Sequence, residues 1–364
     1  MHATPLSLVV ITIVIALLFD FLNGVHDAAN SIATIVTTRV LTPPQAVLWA
    51  ALFNFVAAFV FGTGVAHTIS SSLIRPEAMT LYVVLAGLLG AILWNLLTWY
   101  LALPTSSSHA IISSLAGAAV AGAAFSGVYK HSWHAIKYEG WIPVLAFLVL
   151  SPLIGMVLGY ILMHVVAWAT FRMHRYKAAK MFRTLQLFSA GSYSLMHGSN
   201  DAQKTMGIIV AVLMSTGYGQ YASGHHRIFG HNHEIAPWII FSCYTAISIG
   251  TMLGGWKIVR TMGSRITPHL KPIDGFASEL AAATSIGIAT IAHIPISTTH
   301  AIGGAISGVG ATRGVHAVRW VWARRIIYGW VLTFPGAAIV GAIFYIFLHF
   351  TLERWMGGTA ATLH

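Results

Sequence analysis

Apolar residues fill the chain in long runs separated by short polar or basic stretches. A helix needs about 20 mainly apolar residues to cross a bilayer. Runs of that kind fall near 6–38, 45–68, 78–103, 104–125, 141–169, 184–216, 236–256, 275–294, 295–311 and 326–350. They predict about ten crossings. Polar residues interrupt the first and sixth runs, and the runs at 104–125 and 295–311 are short and rich in small residues. The fold class predicted is all-α and integral to the membrane, with broken or re-entrant helices. No Lys or Arg precedes the first run and no small-residue cleavage site follows it. It therefore reads as a first membrane helix and not as a signal peptide. No lipidation motif is present.

Internal similarity changes this list of runs into an organisation. NGVHDAANSIAT at 23–34 resembles HGSNDAQKTMGI at 197–208, and PTSSSHAIISSLAGA at 104–118 resembles PISTTHAIGGAISGV at 295–309. The two matches keep their order, and the polar stretch 217–235 supplies the extra length in the second half. Paired matches with one explained offset mark a repeat. The division predicted is a first repeat over 1–169, a basic linker over 170–183, a second repeat over 184–350 and a tail over 351–364. About five crossings per half would make the second repeat enter from the opposite face, which is a transporter device with a site at mid-membrane.

Charge supplies the orientation. With 170–183 cytoplasmic, 14 Lys and Arg residues fall inside and 5 outside, with Lys204 left within the membrane. That bias follows the positive-inside rule and puts both termini outside. Composition agrees, since 57% of the 364 residues are hydrophobic and only 8% charged. A soluble domain carries roughly 25% charged residues. The net charge of +11 is read as cationic loops, with no nucleic acid as partner. Cys243 is the single cysteine, so no intrachain disulfide forms.

Few acidic residues lie in the apolar runs, and their burial costs roughly 2.5–3.5 kcal/mol on insertion scales. Asp27 and Asp201 sit in the repeated motifs, and Glu279 sits in GFASELAAATSIGIATIA. Asp20 ends the first run. Gly24 and Gly198 precede the two Asp residues, and Asn23, Asn30, Ser199 and Asn200 add polar groups. Such clusters predict unwound helix whose carbonyls and carboxylates hold a cation. Lys204 stands where the first half has Asn30, one turn from Asp201.

The other motif pair reads as two helix starts, a proline followed by hydroxyls and then an apolar helix. The first N–H groups of a helix are unpaired and carry partial positive charge, a geometry that binds phosphate or sulfate without a basic residue. Thr105, Ser106, Ser107 and Ser108 in one half and Ser297, Thr298 and Thr299 in the other supply hydroxyl donors. His109 and His300 follow each cluster and read equally as helix contacts or proton carriers. His225, His226, His231 and His233 lie in an external loop, read as solvated, with divalent metal as the alternative. A membrane metalloenzyme would need clustered ligands, and His109, His197, His293 and His300 are scattered. The chain therefore reads as a transporter and not an enzyme, with no cofactor and no assigned metal.

These motifs together resemble the inorganic phosphate transporter (Pit) family, and NGVHDAAN and HGSNDAQKTMG look most like its bacterial low-affinity branch. The resemblance covers nearly the whole chain. It implies import of inorganic phosphate across the inner (plasma) membrane by cation symport, in a homodimer embedded in the lipid bilayer. It implies that Asp27, Asn30 and Asp201 lie near the coupling ion, and that the two hydroxyl clusters surround phosphate. Lys204 and Glu279 join the coupling-ion set. Relatives with Asn before the Asp in both halves include sodium-coupled members, whereas this chain has His26 and Lys204. The bacterial branch is associated with protons as the coupling ion and with phosphate carried as a divalent-metal complex. Sodium coupling and sulfate transport stay as alternatives.

Overall fold

The computed structural model describes residues 5–127, 129–228 and 231–353. Its first half runs α1 (Leu6–Thr37), α2 (Pro43–Val56), α3 (Gly64–Ser71), α4 (Leu81–Tyr100), α5 (Ser107–Ser126) and α6 (Tyr138–Thr170). Its second half runs α7 (Arg175–Ser215), then a hairpin of β1 (Ser223–Ile228) and β2 (His231–Ile235). There follow α8 (Pro237–Leu253), α9 (Trp256–Arg260), α10 (Pro272–Ile291), α11 (Thr298–Ala311) and α12 (Trp320–Leu348). The order of elements recurs: a long helix, a bent pair, a 20-residue helix, a helix opened by a hydroxyl cluster, and a long helix. The bends also match. The α2 arm turns 82° into α3, and the α8 arm turns 65° into the α9 arm.

Local chemistry explains where helices begin. Pro43 and Pro44 open α2, with the Thr42 N–H donating to Gln45 Oε1 at 3.0 Å, and proline suits the first turn because its missing N–H is not needed there. Ser106 Oγ accepts from the His109 N–H at 3.2 Å, and Ser297 Oγ accepts from the His300 N–H at 3.3 Å. These are the same N-cap in the two halves. Just upstream, Ala102 (φ 54°) and His293 (φ 60°) both take the left-handed conformation that ends the preceding helix.

Packing crosses between the halves. Helix α1 lies on α8 while α7 lies on α2, and α5 lies on α12 while α6 lies on α11. Helix α6 buries only Val144, Ser151, Gly155 and Gly159, a narrow stripe at helical spacing. A side chain on Gly155 or Gly159 would meet the Ala301 or Ala305 carbonyl of α11. Small residues four apart allow such close backbone approach in membranes. The other faces of α6 and α12 present Val149, Ile161, Val331, Leu332, Ile339 and Ile343, each about half exposed or more. A broad apolar exterior around a polar interior is the pattern of a chain solvated by lipid. Among the described residues, five helices are long and apolar enough to cross a membrane, or seven if each bent pair counts as one span. The expected total of about ten also counted α7, α10 and α11, which carry the polar residues, and α11 has only 14 residues.

Three details differ from the sequence expectation. Helices α1 and α7 pass unbroken through both Asp motifs, and the bends lie in the second elements instead. Gly24 and Gly198 serve close packing: a Cβ on Gly24 would collide with the Ile247 carbonyl, and one on Gly198 with the Asn54 backbone. The basic linker is a short turn, since α7 begins at Arg175. The polar stretch 217–235 contains the antiparallel hairpin, with Ser223 opposite Ile235 and His226 opposite His233. The side chains of His225, His226, His231 and His233, and most of the 351–364 tail, lie outside the described residues.

Candidate functional site

Lys204 is the hub of the interior. It is 1% exposed. Its Nζ donates to Asp201 Oδ1 at 2.5 Å, to Ser108 Oγ at 2.5 Å and to the Ile296 carbonyl at 2.9 Å. An ammonium has three donors, so all are engaged. The three partners come from α7, the first turn of α5 and the residue leading into α11. The remaining Asp201 oxygen, Oδ2, faces Thr298 Oγ1 at 3.5 Å and His197 Nδ1 at 3.4 Å. Asn200 Oδ1 accepts the Ile296 N–H at 3.3 Å, which pins the approach to α11 against the same motif.

The first motif reaches the same place from α1. Asn30 Nδ2 donates to Thr299 Oγ1 at 2.8 Å, and Thr299 Oγ1 donates to the Thr105 carbonyl at 3.2 Å. The two helix starts therefore touch, and both Asp motifs are bonded to them. Asp27 Oδ1 lies 2.8 Å from His26 Nδ1. Thr105, Ser106, Ser107, Ser108, Ser297, Thr298 and Thr299 are all 4% exposed or less. Thr105 Oγ1 and Ser107 Oγ are buried with no hydrogen-bond partner, so they have donors to spare. Two helix N-termini with free hydroxyls and a buried ammonium can hold an anion, and the two buried carboxylates beside them can take up cations that offset its charge.

Glu279 is not part of that meeting point. Thr34 Oγ1 donates to its Oε1 at 2.6 Å, Gln186 Nε2 to the same oxygen at 2.9 Å, and Ser189 Oγ to Oε2 at 2.5 Å. Helices α1, α7 and α10 thus enclose a third, separately satisfied carboxylate. Tyr193 joins the two regions. Its hydroxyl donates to the Thr298 carbonyl at 3.3 Å, and it lies within electrostatic range of Asp27, Asp201 and Glu279. Sequence reading missed Tyr193 and used His197 only in passing. Their i, i+4 spacing on the face that leads to Asp201 was the available signal. His109 and His300 pack together with ring centroids 4.8 Å apart, and Trp330 stacks on His300 at 3.8 Å. No group of three or more His, Cys, Asp or Glu able to hold a metal occurs among the described residues.

A lipid-facing helical shell around a polar centre where two helix starts and two carboxylate motifs meet defines a multi-pass membrane transporter. The sequence pattern of the phosphate transporter family matches residues 23–341. The chain belongs to that family, whose members are transporters and not enzymes. It is 48% identical over 333 residues to a probable low-affinity inorganic phosphate transporter of Rhizobium meliloti, covering 92% of this chain and 94% of that one. It is 43% identical to the protein of the same description in Bacillus subtilis, over 94% and 98% of the two chains. Among solved structures, one described as the sodium-dependent phosphate transporter superposes with a TM-score of 0.82. That likeness covers 95% of this chain and all of the other at 22% identity, and it bears on the fold.

Proposed function

We propose that this phosphate transporter imports inorganic phosphate across the plasma membrane by proton symport, with phosphate held between the starts of α5 and α11. The observation that carries the reading is Lys204, whose ammonium joins Asp201 to Ser108. In this reading the ammonium fills the place in the second half where a coupling cation would sit. It repels sodium there and leaves the coupling charge to protons. Phosphate entering between the helix starts replaces Ser108 as a partner of Lys204 and takes up the spare hydroxyls of Thr105 and Ser107. Asp27, with Asn30 beside it, is the coupling carboxylate of the first half. The matching order of elements and bends supports reading the halves as inverted repeats around this point.

Energetics set the demand on coupling. Each negative charge entering against an inside-negative potential costs about 2.3 kcal/mol per 100 mV. Phosphate carries one to two charges near neutral pH, so enough positive charge must enter with it to offset this.

The test is uptake of labelled phosphate into proteoliposomes with imposed gradients. A pH gradient alone drives accumulation, Asp27→Asn abolishes it, and sulfate does not compete. Uptake that responds only to an inward sodium gradient, at any pH, removes the proton assignment and the reading of Lys204 with it. Varying Mg²⁺ at fixed phosphate separates free phosphate from a metal–phosphate complex as cargo.

A further inference from the structure

Asp20 lies on α1 about two turns before Asp27. It is 0% exposed, and neither carboxylate oxygen completes a hydrogen bond. This sets it apart from the other buried carboxylates described. Asp27 has His26, Asp201 has Lys204, Asp274 has Arg313, and Glu279 has three donors. Asn23 of the same helix and Thr205 of α7 are the polar side chains beside Asp20. Asn23 Oδ1 and Thr205 Oγ1 are likewise buried and unpartnered. The titratable groups that face Asp20 are Asp201 and Lys204 from α7 and Cys243 and Tyr244 from α8. Helix α2 has no titratable residue, and those of α4, Tyr82 and Tyr100, sit at its two ends.

An ionised carboxylate is costly inside a membrane protein when its neighbouring donors, here the Asn23 amide and the Thr205 hydroxyl, complete no hydrogen bond to it. A proton removes that cost and also creates a donor. The acid O–H can then bond Asn23 Oδ1, so one added proton satisfies two orphaned groups. A metal cation fits the place less well. Helix α1 is continuous here, so its carbonyls are engaged in the helix, whereas sodium sites in transporters draw on unwound carbonyls.

We propose that Asp20 is a proton-carrying site of the transport cycle, separate from the phosphate site but one residue from it through α7. Thr205 adjoins Lys204 in sequence. A shift of α7 that carries the Lys204 ammonium toward Asp20 favours the ionised acid and expels the proton, while withdrawal lets it rebind. The step is a simple protonation, carboxylate plus proton to carboxylic acid.

The proposal rests on the proton-coupled reading above, and the experiment separates the two. Proteoliposomes are given a one-unit pH gradient and labelled phosphate. One pH unit is worth about tenfold in accumulation per coupled proton. The wild type is expected to accumulate at least that much, and Asp20→Asn to accumulate none. At equal pH the variant still exchanges internal for external phosphate at close to the wild-type rate, because exchange needs no net proton movement. Asp20→Glu restores accumulation. Wild type that ignores the pH gradient removes proton coupling, and this proposal with it. Wild type that responds while Asp20→Asn accumulates equally leaves coupling intact and overturns the role of Asp20. Loss of exchange together with accumulation, in protein that is folded, also overturns it. If Asp20→Asn does not fold, infrared difference spectra of the wild type on phosphate addition carry the test. A protonated-carboxyl band that moves in Asp20→Glu supports the site, and its absence refutes it.

Discussion

Lys204 ties α7 to the start of α5 and to the approach of α11, so its removal has a large expected effect. Lys204→Met strands the Asp201 carboxylate without its cation. Breaking one partner of a buried ion pair costs about 3–5 kcal/mol. The expected result is a marked fall in thermal unfolding temperature in detergent for Lys204→Met, a separate fall for Asp201→Asn alone, and a double variant less destabilised than the sum of the two. An additive double variant would mean that the pair is not coupled. The hydroxyls act on binding instead. Hydrogen bonds to a charged group are worth about 1.5–3 kcal/mol each. Ser107→Ala with Thr298→Ala should therefore weaken phosphate binding by about a hundredfold or more, as read by calorimetry on purified protein. Wild-type affinity in that double variant would sink the site. At this scale the sequence showed the hydroxyl clusters, both motif carboxylates and Lys204, because intramembrane polar residues stand out against apolar runs. It did not show that Lys204 reaches the Ile296 carbonyl or that Tyr193 reaches Thr298. Those contacts join residues about a hundred positions apart, which no local pattern encodes.

Among the elements, the instructive case is the glycine in each Asp motif. A glycine beside polar residues in a membrane helix looks like a break, since glycine costs about 1 kcal/mol relative to alanine in a helix interior. In the fold, Gly24 and Gly198 lie where the backbones of α8 and α2 press against α1 and α7. The reason lies on the partner helix and was invisible along the chain. Gly24→Val forces α8 away from α1. Overpacking of this kind costs about 1–3 kcal/mol, so the variant should show lower thermal stability and lower yield. A Gly127→Ala control probes a different effect, because Gly127 ends α5 at φ 66° with open space around it. Unchanged stability in Gly24→Val would contradict the close packing. The hairpin at 223–235 was also unread. Its alternation is short and polar, and it lacks the apolar face that makes a strand recognisable.

For the molecule as a whole, repetition was legible and its geometry was not. The four motif strings marked corresponding places, and the structure extends the correspondence to the bent second elements, which carry no motif. Basic residues orient the halves in the reading above, with 170–183 cytoplasmic and the 223–235 hairpin outside. Single cysteines at Lys177 and Ser223, in a background with Cys243 replaced, should then be labelled from opposite faces of intact cells. Labelling of both from one face would exclude that orientation.

The short arm α3 has a property that follows from its two anchors. Gln203 stands between Asp201 and Lys204, and its Oε1 accepts the Val65 N–H at 2.9 Å at the start of the arm. One turn further, Thr68 Oγ1 donates to the His293 carbonyl at 2.8 Å, just ahead of the second hydroxyl cluster. The arm is a crossbar bolted at one point to the carboxylate motif and at another to the approach of α11. It has no independent swing. Any change in spacing between those two anchors, such as an anion wedged between the helix starts would impose, must reset the angle of the elbow or shear a bolt.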